Sequence, residues 1–225
     1  MLDGVNVAIR RRKRKTVSIY VERDGSVSVY VPETLSDAEI QELLLDREYQ
    51  IHKYLAKQEL LNTNRTDREA VNGQAFLYLG RNYHLQFSSD VKTLTLKNGR
   101  FLAPSAKREQ LHELFREYYR ARGRKFIPPR VELFAEKMGL VVDEVTILDL
   151  KNRWASCSVK KPKVNFHWKV MMAPVSVVEY LIVHELAHLK YPQHDKVFWN
   201  EVDKVLPGYQ QQVDWLQQFG ASLSL

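Results

Sequence analysis

The segment that most constrains the fold is residues 177–190, which read VVEYLIVHELAHLK and combine an apolar run with a fixed polar pattern. His184, Glu185 and His188 form a His-Glu-x-x-His motif within it. Because residues four apart lie on one face of a helix, both imidazoles can reach one ion. Two histidines and a glutamate on a buried helix cost free energy unless something pairs them. The segment therefore predicts a buried metal-binding helix; the alternative is a helix whose histidines are hydrogen-bonded core residues.

A metal site with an open position for water needs a third protein ligand. His194 follows His188 by six residues, just after Tyr191-Pro192, where the proline ends the helix and the chain can turn back. Glu201 and Asp203 are alternative ligands, because many metal-dependent peptidases use a downstream carboxylate. We favour His194, and we expect one Zn²⁺ per chain, since zinc suits imidazole ligands at neutral pH.

The amino-acid composition argues against several other classes of protein. The chain of 225 residues has a single cysteine, Cys157, which excludes a disulfide framework and a cysteine-based zinc site. No run of about 18 apolar residues is present. The first 15 residues lack the apolar core of a secretory signal. We therefore expect a soluble cytoplasmic protein, with Cys157 more consistent with a buried structural residue than with a reactive thiol.

The net charge of +7 is unevenly distributed, with 14 basic and 6 acidic residues in positions 61–130. A dense basic block also occupies residues 10–15, and three arginines recur every four residues along a predicted helix. The basic block and the row of arginines are both suited to binding the phosphate backbone of a nucleic acid. The candidate nucleic-acid contacts are Arg10, Arg11, Arg12, Lys13, Arg14, Lys15, Arg116, Arg120 and Arg124. The alternatives are a solvated, flexible basic segment and a helix whose arginines face water while its aromatic side chains face the core.

Hydrophobic periodicity predicts an α+β protein. Alternating apolar residues on both sides of Asp24-Gly25 predict a β-hairpin over residues 16–31, followed by a helix from about 36 to 61. Four short strands follow between 74 and 102, then a long helix from 105, interrupted or kinked near Gly123 or Pro128-Pro129. Three more strands are predicted near 144–148, 153–158 and 163–170, ahead of the motif helix. We expect a β-rich accessory region at 1–105 and a catalytic domain at 106–225.

A family resemblance becomes visible at the motif. Residues 184–199, HELAHLKYPQHDKVFW, resemble the HELAH-x5-H-x3-FW signature of the YgjP-like metal-dependent hydrolases, which are related to SprT-like and WLM zinc metallopeptidases. Residues 153–157, RWASC, are similar to the family's RWGSC element, with Ala155 where glycine is usual. The resemblance implies a small gluzincin-like (zincin) domain whose HExxH helix packs on a short antiparallel sheet. It also implies His184, His188 and His194 as zinc ligands and Glu185 as catalytic acid/base.

The expected function is zinc-dependent hydrolysis of peptide bonds, in which Glu185 takes a proton from the metal-activated water. Arg153, Tyr191 and His167 are candidates to contact the substrate or stabilise the oxyanion. A strand at 153–158 or 163–170 is expected to pair with extended substrate. Expected partners are a protein or peptide substrate and, by analogy with SprT-like enzymes, proteins bound to nucleic acid; no membrane is involved.

Two other functions are compatible with the same residues. The first is metal-dependent hydrolysis of a non-peptide substrate, such as a nucleotide phosphoanhydride. The second is a non-enzymatic nucleic-acid-binding module with a structural zinc. Three histidines next to a glutamate leave an open metal position, whereas structural zinc sites are normally closed, so catalysis is favoured.

Overall fold

The computed structural model describes residues 5, 7–21, 26–62, 68–150 and 153–225 of a mixed α/β protein. The chain divides into two compact units, Met1–Arg65 and Thr66–Leu225. This differs from the division near residue 105 predicted from the sequence. Phe76, Leu85 and Phe101 lie in the same buried core as Phe115 and later residues, so the strands before 105 belong to the second unit. Across the described residues, no helix is both long and apolar enough to span a membrane.

The described part of the first unit is a three-stranded sheet with two helices. Its elements are β1 (Val7–Arg12), β2 (Ser18–Val21), β3 (Val27–Pro32), α1 (Asp37–Asp46) and α2 (Glu48–Asn62). The strand order is β1-β3-β2, with β3 parallel to β1 and antiparallel to β2. The antiparallel β2–β3 pair confirms the predicted hairpin, although its Asp24-Gly25 turn lies outside the described residues. The core joins one face of the sheet to both helices through Val27, Val29, Val31, Ile40, Leu44 and Ile51.

Two features of this unit differ from the prediction. A flexible segment was one interpretation of the basic block, but its first three arginines, Arg10 to Arg12, are in β1. Val7 and Ile9 pair in register with Val27 and Val29, and the charged end of β1 lies at the sheet edge, where charged side chains are tolerated. The single helix expected over 36–61 is two helices. The first begins at a Ser36–Glu39 capping box and ends at Arg47.

In its described residues, the second unit contains two sheets and four α-helices. Its elements are β4 (Ala75–Tyr78), β5 (Arg81–Ser88), β6 (Thr95–Lys97), β7 (Arg100–Pro104), α3 (Leu111–Lys137), β8 (Glu144–Leu148), β9 (Ala155–Ser158), β10 (Lys163–His167), α4 (Val175–Lys190), α5 (Lys196–Val205) and α6 (Gln210–Phe219). The expected helix from residue 105 begins with 3₁₀ turns at Ser105–Gln110, and α3 then continues through Pro128 and Pro129. Gly139 ends this region at a positive φ of 64°.

The sheet next to α4 has the order β8-β10-β9. It was expected to be antiparallel, but it is mixed: β10 runs antiparallel to β9 and parallel to β8. The reason is topological. The hairpin between β9 and β10 occupies one edge of β10, and β8 pairs with the other edge in the same direction.

The turn between β4 and β5 holds the start of α4 in place. The backbone N–H groups of Leu79 and Gly80 donate to the carbonyls of Met171 and Met172, at 2.8 and 3.0 Å. These carbonyls belong to the 3₁₀ helix Trp168–Met172 that leads into Pro174 and α4. Gly80 has a φ of 78°, and an added Cβ would lie 2.9 Å from the Cα of Pro174. The motif helix is therefore positioned by a turn that only glycine fits.

We expect Gly80→Ala to lower the free energy of unfolding by about 2–4 kcal/mol, since it adds a close backbone contact to the cost of a positive φ. Gly99→Ala is the matched control. Gly99 has a similar φ of 72° but nothing within 4 Å of an added Cβ, so about 1 kcal/mol is expected. Denaturant unfolding of both variants measures the difference. Equal losses would show that the contact with Pro174 is not tight.

Candidate metal centre

Three histidine side chains converge beside α4. His184 and His188 project from consecutive turns of α4, and His194 comes from the loop between α4 and α5. Their candidate ligand atoms all lie within 4.8 Å of one another, and the Nε2 atoms of His184 and His194 are 3.1 Å apart. Two nitrogens of a tetrahedral zinc site are about 3.3 Å apart, given Zn–N bonds of about 2.05 Å. Among the described residues this is the one such group, and it fits a zinc ion.

Hydrogen bonds at the far side of two rings orient them. The Nδ1 of His188 lies 3.2 Å from the backbone carbonyl of Tyr191, so this nitrogen carries the proton that it donates. The hydroxyl of Tyr180 lies 3.3 Å from the Nδ1 of His184. Both contacts leave Nε2 directed at the cluster. Partners of this kind fix the ring orientation of metal-binding histidines.

Phe198 forms the floor of the cluster. Its ring centroid lies 5.0, 4.6 and 4.7 Å from those of His184, His188 and His194, and the side chain is fully buried. The side chain of Asp195 accepts from the Phe198 N–H and caps α5. The beginning of α5 therefore fixes both the floor and the loop that carries His194.

A row of stacked rings, here called the aromatic ladder, connects the third histidine with the first. His194 stacks on Trp199 at 5.5 Å, Trp199 on Tyr209 at 5.3 Å, and Tyr209 on Tyr180 at 6.1 Å. Tyr180 then contacts His184 through its hydroxyl. The loop histidine is thus supported by side chains from α4, α5 and the start of α6.

Two of the imidazoles, those of His184 and His188, are held in the neutral form. Burial, together with the positive charges that His188 and His194 would carry, lowers the pKa of His184 to about 3. Burial is also the main cause that lowers the pKa of His188. Neutral imidazole is the form that binds a metal ion.

Glu185 is the polar side chain buried next to this cluster, with 7% of its surface exposed. Burial raises its pKa to about 7, while a hydrogen bond from Cys157 and the charge of Arg153 oppose that rise. Burial and the charge of Glu185 raise the pKa of the Cys157 thiol to about 12, so the thiol stays protonated and donates to the carboxylate. A buried carboxyl group with a pKa near neutrality suits a general base.

The other three residues predicted for the site lie in different environments. Arg153 lies close enough to Glu185 to influence its pKa. Tyr191 contributes its backbone carbonyl to His188. His167 is buried at the end of β10, where its Nδ1 accepts from the Lys169 N–H and caps a 3₁₀ helix.

The alternative third ligands are placed differently from His194. Glu201 forms an ion pair with Lys190 at 3.0 Å, and the same lysine donates to the Met138 carbonyl. Asp203 is exposed on α5. Neither belongs to the cluster of candidate ligands among the described residues.

The arginine stripe of α3 is largely paired. Arg116 forms an ion pair with Glu113, and Arg120 pairs with Asp149 at 2.7 Å. Arg124 is exposed. The interleaved aromatic residues Phe115, Tyr118 and Tyr119 are buried, so this helix presents its arginines outward and its rings to the core.

Sequence reasoning did not find the residues that support the histidines. Tyr180 precedes His184 by four residues, so helical spacing would have identified it as a neighbour of that ring. The contact of Cys157 with Glu185 and the stacking of Tyr209 on Trp199 and Tyr180 join separate elements. No local sequence pattern predicts either contact.

A helix that carries two histidines and a glutamate, joined by a third histidine from the following loop, is the arrangement expected of a metal-dependent hydrolase. The sequence profile of the YgjP-like metallopeptidase domain matches residues 15–219. The chain therefore belongs to the YgjP-like metallopeptidase family, as the motif resemblance predicted. The family places it among metal-dependent peptidases and implies a catalytic metal.

Solved structures similar to this chain include a metallopeptidase. The crystal structure of the metallopeptidase zymogen of Pyrococcus abyssi abylysin is similar at 31% sequence identity and a TM-score of 0.36. The match covers 38% of this chain and 87% of that chain. No curated protein sequence matches the chain.

Proposed function

We propose that this protein is a zinc-dependent metallopeptidase of the zincin type that acts in the cytoplasm. The observation that carries the proposal is the convergence of His184, His188 and His194 beside the buried carboxyl group of Glu185. The three imidazoles would hold the ion, with one metal per chain, and would leave a position for water. Glu185 is the catalytic acid/base.

Bound zinc supplies Lewis acidity, which makes water nucleophilic near neutral pH and polarises the scissile carbonyl. A carboxylate oxygen of Glu185 accepts a proton from the attacking water and then delivers it to the leaving amide nitrogen. The Cys157 thiol, by donating to the same carboxylate, holds that group in one orientation. Arg153, exposed and near Glu185, is the candidate to stabilise negative charge on the substrate oxygen.

The substrate is proposed to bind as an extended chain along β9. This strand has β10 as its partner on one side and is the edge of its sheet, whereas β10 lies in the centre. Cys157, on β9, contacts Glu185, so the edge runs past the catalytic carboxylate. Backbone pairing of this kind suits an unfolded protein or peptide, including a protein associated with nucleic acid.

Removal of the metal tests the proposal. We expect chelator-treated protein to cleave an unfolded protein such as casein at least about 100-fold more slowly than untreated protein, since the Lewis acid is lost. One equivalent of Zn²⁺ should restore the rate. Cleavage is followed by gel electrophoresis and mass spectrometry of the products.

Two outcomes would contradict the proposal. Undiminished cleavage by the metal-free protein would remove the metal from the reaction. Release of phosphate from ATP by the zinc-loaded protein, with no cleavage of casein or peptides, would favour the non-peptide hydrolase instead.

A further inference from the structure

The three-stranded sheet of the first unit has two faces of different chemistry. Residues opposite each other in neighbouring strands point to the same face, and successive residues alternate. One face, with Val27, Val29 and Val31, packs on α1 and α2. The other, here called the outer face, carries the residues that alternate with these. They are Ala8, Arg10, Arg12, Ser18, Tyr20, Ser28, Tyr30 and Pro32.

Arginine and tyrosine side chains are interleaved on the outer face. Arg10 pairs in register with Tyr30, and its guanidinium carbon lies 5.9 Å from the centre of that ring. Tyr20 meets Tyr30 edge-on at 5.6 Å. Arg14, just beyond β1, donates to the hydroxyl of Ser18 at 2.6 Å, which brings a further cation to this face. Both tyrosines are partly exposed, and Arg10 and Arg12 are exposed.

The described carboxylates of this unit that form ion pairs do so away from the outer face. Arg11 lies between Arg10 and Arg12 but points to the helix face, where it forms a 2.6 Å ion pair with Asp37 at the start of α1. The remaining ion pairs of this unit, among described residues, lie within the helical region between positions 46 and 52. No described carboxylate pairs with Arg10 or Arg12. The outer face therefore presents positive charge without a counter-charge from the described part of the unit.

We propose that the outer face binds single-stranded nucleic acid. Arginines 10, 12 and 14 provide a row of guanidinium groups for phosphates, and Tyr20 and Tyr30 provide rings on which unpaired bases stack. A sheet face with partly exposed rings suits a single strand, because the bases of a duplex are already stacked on one another. This proposal concerns residues of the first unit alone and does not rest on the proposed peptidase activity.

The test is binding of a fluorescein-labelled 16-nucleotide DNA strand of mixed sequence to the full chain, followed by fluorescence anisotropy at several salt concentrations. We expect the double variant Arg10→Gln/Arg12→Gln to bind about tenfold more weakly or worse. Each phosphate contact contributes about 0.7 to the salt slope for single strands, so the slope should fall by about 1.4. Thermal unfolding checks that the variants remain folded.

Arg11→Gln is the matched control within the same block. It removes one positive charge from the helix face, and its affinity should stay within about threefold of the unmodified protein. Tyr30→Leu should weaken binding about fivefold or more through lost stacking, whereas Tyr30→Phe keeps the ring and should retain affinity.

Three results would overturn the proposal. The first is an effect of Arg11→Gln as large as that of either outer-face arginine changed alone. The second is equal competition by polyglutamate and by the unlabelled strand, which would indicate a general site for polyanions such as acidic peptides. The third is tighter binding of duplex DNA together with no effect of Tyr30→Leu.

Discussion

Replacement of Glu185 by glutamine is expected to slow peptide hydrolysis by about 10²–10⁴-fold while leaving zinc affinity within about twofold. The carboxamide has the shape of the carboxylate, and its oxygen can still accept from the Cys157 thiol, a contact that the native Glu185 makes. It cannot take a proton from water, so the loss reports general-base catalysis. Hydrolysis is measured with a fluorogenic peptide, and zinc affinity by competition with a chromophoric chelator.

A second glutamate of the same helix provides the control. Glu179 lies six residues before Glu185 on α4 and pairs with Arg130 at 3.5 Å. Glu179→Gln changes charge and hydrogen bonding on the same element, yet the rate of hydrolysis should stay close to that of the unmodified protein. Retained cleavage by zinc-loaded Glu185→Gln protein would exclude Glu185 as the catalytic base.

The convergence of the three histidines could be predicted because they are close in sequence. His184 and His188 are related by the period of one helix, and His194 follows after a proline that ends it. All three residues lie within eleven positions, so local geometry brings them together with little help from the rest of the fold. The same reasoning explains why β8, whose apolar residues alternate locally, was placed correctly at residues 144–148.

The remaining structure depends on contacts between distant segments. Cys157 reaches Glu185 because β9 lies beside α4, and that placement depends on the pairing of three strands. β1 was not predicted because its consecutive arginines obscure the alternation of inward and outward residues. That alternation is recognisable only from the register of β1 with β3. The boundary near 105 followed a change of local pattern. The compact unit instead begins before the strands that share its core.

Replacement of His194 by alanine is expected to weaken zinc binding by at least about 100-fold. Loss of a residue that only orients a ligand already costs 10–100-fold, and His194 is proposed to supply a ligand atom itself. The side chain is exposed and lies in a loop, so the metal-free variant should unfold at the temperature of the metal-free parent protein. Zinc affinity is measured by chelator competition, and the unfolding temperature by circular dichroism.

Glu201→Gln tests whether the third metal ligand is a carboxylate rather than the imidazole of His194. Because the carboxylate of Glu201 is held by Lys190, its loss should change zinc affinity by less than about threefold. The aromatic ladder gives an independent signal, because zinc binding at His194 alters the ring that stacks on Trp199. The tryptophan fluorescence should therefore respond to zinc in the parent protein but not in His194→Ala. If Glu201→Gln lost zinc and His194→Ala retained it, the third ligand would be the carboxylate, and α5 would have to shift to break the pair with Lys190.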